Sequence, residues 1–135
     1  MPEKQMTQTD HQSASEGLHT VLVVEDDQDI REVMVEVLES RGFSVSAAHH
    51  GEEALARLQN GAAPCLILLD LMMPVMDGWA FCEEKEKDPA LAAIPIIVVS
   101  AVSTRDPRNA GLRAVEHIAK PLDVGKLLAS VERYC

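Results

Sequence analysis

The sequence predicts an α/β protein in which helices cover both faces of a five-stranded parallel sheet. Three observations support this fold class. Short apolar runs alternate along the chain with segments of helical period, as in consecutive βαβ units. The central runs are apolar without alternation, which is typical of strands buried on both faces. Hydrophobic residues make up 47% of the 135 residues and aromatic residues only 3%, so the core must be largely aliphatic.

The strands and helices alternate from Thr20 onward. The five predicted strands are "TVLVV", "FSVSAA", "PCLILLD", "IPIIVVSA" and "VEHIA". The predicted helices are "IREVMVEVLESRG", "GEEALARLQNG", "DGWAFCEEKEKD", a weak stretch over residues 102–113, and "DVGKLLASVERYC". The first helix carries a single apolar stripe that can cover a sheet, formed by Ile30, Val33, Met34, Val37 and Leu38.

Local signals indicate where individual helices begin, end or weaken. Asp29 and Glu32 have the spacing of a capping box, and Gly42 suits the C-terminal stop of the first helix. In the third helix, Lys85 falls where the apolar stripe should continue, inside a charged run that we expect to be solvated. The weak stretch 102–113 offers a cap and a proline but little apolar periodicity, so we expect a single turn there.

Charge and cysteine content restrict the class of protein. The chain has 12 basic and 22 acidic side chains, for a net charge of -10, which disfavours binding to nucleic acid and to anionic membranes. Cys65, Cys82 and Cys135 are odd in number and widely spaced, and they form no CxxC pair. We therefore expect reduced thiols and no zinc site.

The chain divides into a predicted tail and one predicted domain. Residues 1–19 are polar and show no apolar period, so they are expected to be a disordered tail, followed by a single domain over residues 20–135. The tail lacks the apolar stretch of a signal peptide, and no later run has the length of a membrane span. These features predict a cytoplasmic protein.

Unusual polar residues follow four of the predicted strands. Glu25 and Asp26 follow the first strand, Asp70 the third, Ser100 the fourth and Lys120 the fifth. In an open parallel sheet, ligands bind beyond the carboxyl ends of the strands, where the strand order reverses. With a strand order of 2-1-3-4-5, the first and third strands are neighbours and their carboxylates meet.

Each of these residues has an ordinary structural explanation when it is taken alone. The acids can cap a helix or belong to a turn, the serine can be a turn hydroxyl, and the lysine can be a solvated charge. Together they supply carboxylates, a hydroxyl and an amine to one edge of the sheet. Carboxylates that are packed together need a cation, and oxygen ligands favour Mg²⁺. The combination predicts phosphoryl-transfer chemistry, in which positioning and charge neutralisation dominate.

At these residues the sequence resembles the receiver domain of two-component response regulators. The resemblance rests on "VLVVEDD", "LLDLMMPVMDG", "IPIIVVSA" and "KP", which occur in this order at nearly the usual spacing and span residue 21 to about residue 135. It implies a flavodoxin-like, doubly wound three-layer sandwich with strand order 2-1-3-4-5. The chain stops soon after the last predicted helix, so we expect a stand-alone, single-domain receiver.

The resemblance implies specific roles around the acidic cluster. Asp70 would be the phosphoacceptor, taking a phosphoryl group from a phosphohistidine. Asp26 and Glu25 would hold Mg²⁺ together with Asp70 and the backbone carbonyl of Met72. Asp27 is expected to be a capping or solvated residue rather than a ligand.

The resemblance also implies which residues respond to the phosphoryl group. Lys120 would pair with a phosphoryl oxygen, and the Lys120-Pro121 bond is a candidate for the cis form. Ser100 would turn its hydroxyl onto the phosphoryl group, beside a small Ala101 that leaves the acceptor accessible. His117 stands at the secondary switch position, where the family usually has Tyr or Phe. It would be either a switch with weak or pH-sensitive coupling or a partly exposed surface histidine.

The implied function is a phosphoacceptor switch that assists its own phosphorylation and dephosphorylation without a separate turnover reaction. Its expected partners are a sensor histidine kinase or a histidine phosphotransfer protein and a downstream protein target, with either a monomer or a phosphorylation-dependent dimer. Two alternatives are a receiver-fold binding module that is never phosphorylated and a Mg²⁺-dependent phosphatase of the dehalogenase type. The phosphatase would need a second acid where the chain has Met72. Met72 and Val102 also offer no group to orient an attacking water, which predicts slow self-dephosphorylation.

Overall fold

The computed structural model describes residues 19–61 and 63–135. The strands are β1 (Thr20–Val24), β2 (Ser44–Ala48), β3 (Leu66–Leu69), β4 (Ile96–Ser100) and β5 (Glu116–Ala119). The α-helices are α1 (Gln28–Ser40), α2 (Gly51–Asn60), α3 (Gly78–Glu86), the one-turn α4 (Pro89–Ala92) and α5 (Val124–Tyr134), and a 3-10 turn spans Pro107–Asn109. The predicted alternation of strands and helices is confirmed. The tail predicted for residues 1–19 lies outside the described residues except for His19, so it stays a prediction.

The five strands form one parallel sheet in the order β2-β1-β3-β4-β5. The predicted fold class and strand order are therefore confirmed. The order reverses at β1, which pairs with β2 on one side and with β3 on the other. This reversal opens a crevice at the carboxyl ends of β1 and β3, because their connecting helices leave toward opposite faces.

Two apolar clusters fill the space between the sheet and its helices. Alternate residues of each central strand point to opposite faces, so β1 contributes Leu22 and Val24 to one cluster and Val21 and Val23 to the other. The first cluster lies under α2, α3 and α4, and the second lies under α1 and α5. No helix in the described parts of the chain is both long and apolar enough to cross a lipid bilayer.

Helix α1 begins two residues earlier than the predicted capping box. Its N-cap is Asp27, whose side chain accepts a hydrogen bond from the Ile30 N–H at 3.1 Å. The capping role expected for Asp27 is confirmed, whereas the capping box of Asp29 and Glu32 was wrong, because Asp29 is already helical. Gly42 ends the helix as predicted, with a φ of 90° that a residue with a Cβ rarely adopts.

Lys85 is buried, contrary to the prediction of a solvated charged run. Its side chain is 2% exposed, and Nζ donates a hydrogen bond to the Ala92 carbonyl oxygen at 3.1 Å. The aliphatic stem therefore continues the apolar stripe of α3, while the ammonium group satisfies a carbonyl at the end of α4. Burial lowers the pKa of Lys85.

The connection between β4 and β5 contains only the 3-10 turn in place of a full helix. Asp106 caps this turn by accepting a hydrogen bond from the Arg108 N–H at 2.8 Å. The prediction of a single turn is confirmed. The connection contacts α3 through the Trp79 indole N–H, which donates to Asn109 Oδ1 at 2.9 Å.

Cys65 and Cys135 form a disulfide bond, so the expectation that all three thiols are reduced was wrong. Cys65 precedes β3, and Cys135 follows α5, which runs back antiparallel to the strands. Both residues therefore lie at the amino-terminal edge of the sheet, with their Cα atoms 5.6 Å apart. Their sequence separation of 70 residues hides this proximity. Cys82 is a free and buried thiol, and burial raises its pKa to about 12.

The disulfide predicts that a reducing agent lowers the stability of the oxidised protein. A crosslink that closes a loop of this length stabilises by about 4 kcal/mol when it constrains only the unfolded chain. Urea unfolding of the wild type with and without a phosphine reductant should therefore give a lower midpoint under reduction. Cys135→Ser, in which no such crosslink can form, is the control and should unfold at the same midpoint in both conditions. A wild-type urea midpoint that is the same with and without the reductant would contradict the assignment of the disulfide.

Candidate functional site

Acidic side chains from the ends of β1 and β3 lie together at the carboxyl edge of the sheet. Val24 pairs with Leu69, so Glu25 and Asp70 directly follow paired positions on neighbouring strands. Glu25 is 1% exposed and Asp70 5%, whereas Asp26 is exposed. One carboxylate oxygen from each of the three residues lies within 4.8 Å of the other two.

Lys120 directly follows the edge strand β5 and brings a positive charge to this cluster. Its Nζ lies 2.9 Å from Glu25 Oε1 and 3.2 Å from Asp70 Oδ2. The Lys120 N–H donates to the Ser100 carbonyl oxygen, which ties the end of β5 to the end of β4. The peptide bond between Lys120 and Pro121 is cis. The structure thus brings the predicted lysine and the predicted acids together.

The electrostatics of the cluster are dominated by the burial of Glu25. Burial raises the pKa of Glu25 to about 7, and the negative charge of Asp70 adds to this effect. The hydrogen bond with Lys120 opposes the shift without cancelling it. Burial alone would lower the pKa of Lys120, but its contacts with Glu25 and Asp70 outweigh burial and raise it. One ammonium group therefore does not fully compensate the two buried carboxylates.

The site has the properties expected for binding a small divalent cation. Its side-chain donors are carboxylate oxygens, which Mg²⁺ prefers. Glu25 Oε1 is buried and lies 2.9 Å from the Lys120 ammonium, which also contacts Asp70, so one cation is shared by two buried carboxylates. A shared cation leaves part of the cost of burying two charges uncompensated, and a further cation can relieve it. The donor set therefore fits a metal ion.

Arg31 supports the acidic loop and was not predicted as a functional residue. Its Nη1 donates to the backbone carbonyl oxygens of Glu25 at 2.8 Å and Asp26 at 3.4 Å. The guanidinium thus fixes the backbone of both acids and places a positive charge beside them. The position of Arg31 in the sequence could have indicated such a role. The helix dipole disfavours a basic residue near the start of a helix, so an arginine there suggests a stabilising contact elsewhere.

Gly78 sets how closely α3 approaches the end of β3. A Cβ atom at this position would lie 2.6 Å from the Asp70 carbonyl oxygen and 2.7 Å from the Leu71 Cα. Both are backbone atoms, which cannot move aside as a flexible side chain could. Asp77 precedes the glycine and caps α3 by accepting from the Ala80 N–H at 2.9 Å. The "DG" pair therefore holds the helix start against the peptide that carries Asp70.

The predicted switch residues lie around the same crevice. Ser100 is buried at the end of β4, and its Oγ accepts a hydrogen bond from the Val102 N–H at 3.2 Å, so the hydroxyl is engaged within its own loop. Ala101 is exposed beside it. Met72 borders Asp70, because its N–H donates to Asp70 Oδ1 at 3.4 Å, and its side chain is 54% exposed.

His117 lies on β5, paired with Val98 of β4. Its Nε2 is buried and has no hydrogen-bond partner among the described residues. Burial lowers the pKa of His117, which favours the neutral imidazole at physiological pH. The role of His117 as a secondary switch stays a prediction.

Comparison with known proteins identifies the family to which this fold and site belong. The family model of the response regulator receiver domain matches residues 21–132 of this chain. The chain belongs to this family. Receiver domains are the signalling switches of two-component systems.

Curated relatives match the receiver over most of its length. A 14.6 kDa protein of Leptolyngbya boryana is 33% identical over 117 residues, which cover 85% of this chain and 88% of the relative. The probable transcriptional regulator ycf27 of Porphyridium aerugineum is 36% identical over 82% of this chain but only 45% of its own length. The response regulator PleD of Caulobacter vibrioides is 35% identical over 82% of this chain and 25% of its own length. This receiver thus spans less than half of the larger regulators that it matches.

Solved structures of receivers superpose on this one. A receiver domain of a histidine kinase from Syntrophus aciditrophicus has a TM-score of 0.78 and 32% identity, and the match covers 86% of this chain and 89% of that one. The response regulator TrrA of Thermotoga maritima, solved in complex with Mg²⁺ and BeF, has a TM-score of 0.74 and 30% identity over 86% of this chain and 98% of that one.

The contacts of Gly78 predict that Gly78→Ala destabilises the receiver by about 2 to 3 kcal/mol, because the added methyl group overpacks against backbone. Urea unfolding measures the loss. Gly125→Ala in α5 is the matched control, since its Cβ would meet Asp123 Oδ1 at an ordinary 3.5 Å. That substitution should change stability by less than about 1 kcal/mol, in the stabilising direction. Equal midpoints for the two variants would show that the approach of α3 to Asp70 is not tight.

Proposed function

We propose that this receiver takes a phosphoryl group from a phosphohistidine onto Asp70, with Mg²⁺ bound, and changes conformation to control a protein partner. The observation that supports the proposal best is the placement of the Lys120 ammonium against both Glu25 and Asp70. A nucleophilic carboxylate, a fixed cation and further carboxylates for a metal are the parts that phosphoryl transfer needs. The family membership supports the same function.

In the proposed reaction a carboxylate oxygen of Asp70 attacks the phosphorus atom. The bond from phosphorus to the histidine nitrogen breaks, and the imidazole leaves with the electron pair. Asp70 suits this role because it is held by the Met72 N–H and by Lys120 at the carboxyl edge of the sheet. The Lys120 ammonium can then pair with an oxygen of the transferred group, which carries more charge than the carboxylate that it replaces.

Mg²⁺ would be held by Asp26, Glu25, Asp70 and the backbone carbonyl of Met72. When bound, the ion supplies positive charge that neutralises the phosphoryl oxygens. The three clustered carboxylates, for which the Lys120 ammonium compensates only in part, support this assignment. So does the similarity to the Mg²⁺ complex of the Thermotoga maritima regulator.

The conformational response is proposed to begin at Ser100. Its hydroxyl now accepts from Val102 within its own loop, and a phosphoryl group on Asp70 would offer a stronger, charge-assisted partner. Because the loop after β4 contains only a 3-10 turn, movement of Ser100 and Ala101 can displace it without breaking a long helix. His117 stays a candidate secondary switch on the adjoining strand.

The proposed partners are a sensor histidine kinase or a histidine phosphotransfer protein upstream and a protein target downstream. The net charge of -10 supports protein partners over nucleic acid or anionic membrane. The phosphorelay role, the cytoplasmic location and the choice between monomer and phosphorylation-dependent dimer stay predictions. A phosphatase of the dehalogenase type is disfavoured, because the position of its second acid is occupied by the apolar Met72.

The function predicts that incubation with a small acyl phosphate and Mg²⁺ adds one phosphoryl group to the intact mass of the receiver. Asp70→Asn should gain none, because the nucleophile is gone, and Asp26→Asn should require far more Mg²⁺. Asp27→Asn is the matched control: it removes a neighbouring charge but keeps a good N-cap for α1, so it should be phosphorylated like the wild type. An adduct that persists in Asp70→Asn would refute the assigned acceptor.

The side chains two residues after Asp70 and Ser100 predict a long-lived aspartyl phosphate. Neither Met72 nor Val102 can orient a water molecule for attack on phosphorus. After removal of the donor, intact mass against time should show slow loss of the phosphoryl group in the wild type. Met72→Gln, which introduces an amide at the exposed position, should shorten the lifetime severalfold. A wild-type lifetime of only seconds would contradict the prediction.

A further inference from the structure

Arg108 holds a guanidinium group against the exposed side chain of Met72, which follows Asp70 by two residues. Its Nη1 contacts the Met72 sulfur atom at 4.0 Å, and its guanidinium stacks over the Trp79 ring at 4.0 Å from the centroid. Met72 in turn borders Asp70 through its N–H. The connection between β4 and β5 therefore places a cation beside Met72, at the entrance that we expect a phosphodonor to use.

The position of Arg108 is fixed by the residues around it. Asp106 binds it through two charge-assisted hydrogen bonds, from Nε to Oδ1 at 3.1 Å and from Nη2 to Oδ2 at 2.8 Å. Asn109 anchors the same turn, because it accepts from the Trp79 indole N–H and donates to the Ser103 carbonyl oxygen. The stacking on Trp79 does not depend on Asp106, so it keeps the guanidinium beside Met72 when Asp106 is exchanged for a ligand, which reduces the entropy lost on binding.

A cation at this entrance eases the approach of an anionic phosphodonor. The chain as a whole carries a net charge of -10, so an anionic phosphodonor approaches a repulsive field. The Arg108 side chain is 55% exposed and forms an ion pair with the half-buried Asp106. A phosphoryl group offers its planar fork a similar pair of oxygens.

We propose that Arg108 is a donor-positioning residue, which exchanges Asp106 for the phosphoryl oxygens of an anionic phosphodonor before transfer to Asp70. The proposal rests on the proposed function. Arg108 forms no covalent bond. Asp70 forms the new bond to phosphorus, and the donor loses either an acyl carboxylate with its electron pair or a neutral imidazole whose other ring nitrogen carries the proton.

The test measures the initial rate of Asp70 phosphorylation by intact mass as the concentration of a small acyl phosphate is varied at saturating Mg²⁺. Arg108→Met keeps an unbranched stem against Trp79 but removes the charge. It should raise the apparent KM about three- to fivefold, as expected for the loss of one exposed ion pair, with little change in the maximal rate. It should also weaken the dependence of KM on salt. Arg108→Lys should recover part of the affinity.

Two further variants separate charge at the entrance from general effects on the loop. Asp106→Asn removes the competitor of Arg108 but keeps a capping side chain, so it should lower the apparent KM. Arg105→Met removes a positive charge from the same connection and should leave KM unchanged. Circular dichroism and urea unfolding of each variant establish that the fold is intact.

The outcomes distinguish this proposal from the proposed function. If wild-type Asp70 is phosphorylated but Arg108→Met keeps the wild-type KM and salt dependence, the role of Arg108 is refuted while the function stands. A fall in maximal rate with unchanged KM would also refute positioning. Failure of the wild type to accept a phosphoryl group would refute both. An effect seen only with a phosphohistidine-bearing protein donor, and not with the acyl phosphate, would mean that Arg108 recognises the partner surface and would overturn the proposal.

Discussion

The contact of the Lys120 ammonium with Glu25 and Asp70 is the interaction on which the site depends. It joins groups from β1, β3 and the end of β5, and it offsets part of the repulsion between two carboxylates that are almost completely buried. Burial of unpaired charge is costly, and here one cation serves two anions. The site is therefore stable enough to fold yet retains an electrostatic deficit that a divalent ion can relieve. Folding and ligand binding are coupled through the same three side chains.

The parallel sheet makes this arrangement possible, and a few local contacts make it accurate. Strand pairing brings remote segments to one edge, but only to within the spacing of neighbouring strands. Arg31 then fixes the carbonyl groups of Glu25 and Asp26, and Gly78 allows α3 to approach the Asp70 peptide. The hydrogen bond between Trp79 and Asn109 attaches the connection between β4 and β5 to α3. Each contact restrains a loop that the sheet alone would leave free.

The fold and the main site residues could be predicted because they depend on periodic patterns and on chain order. Unbroken apolar runs predicted the parallel strands. The polar residues after these runs predicted that Glu25, Asp70 and Lys120 meet at one edge of the sheet. The burial of Lys85 was not predicted, because the residue was judged by its charge although its long aliphatic stem can be buried. The pairing of Cys65 with Cys135 and the contacts of Arg31 and Arg108 depend on three-dimensional placement of side chains that are not adjacent in any sequence pattern.

The attachment of the connection after β4 to Trp79 has a practical consequence. Trp79 is the single tryptophan of the chain, and its indole both donates to Asn109 and lies beneath a guanidinium group. Indole emission is sensitive to polarity and to nearby charge, so any rearrangement of that connection alters the environment of the one strong fluorophore. The protein thus carries an intrinsic optical reporter next to its acidic crevice, readable without a label.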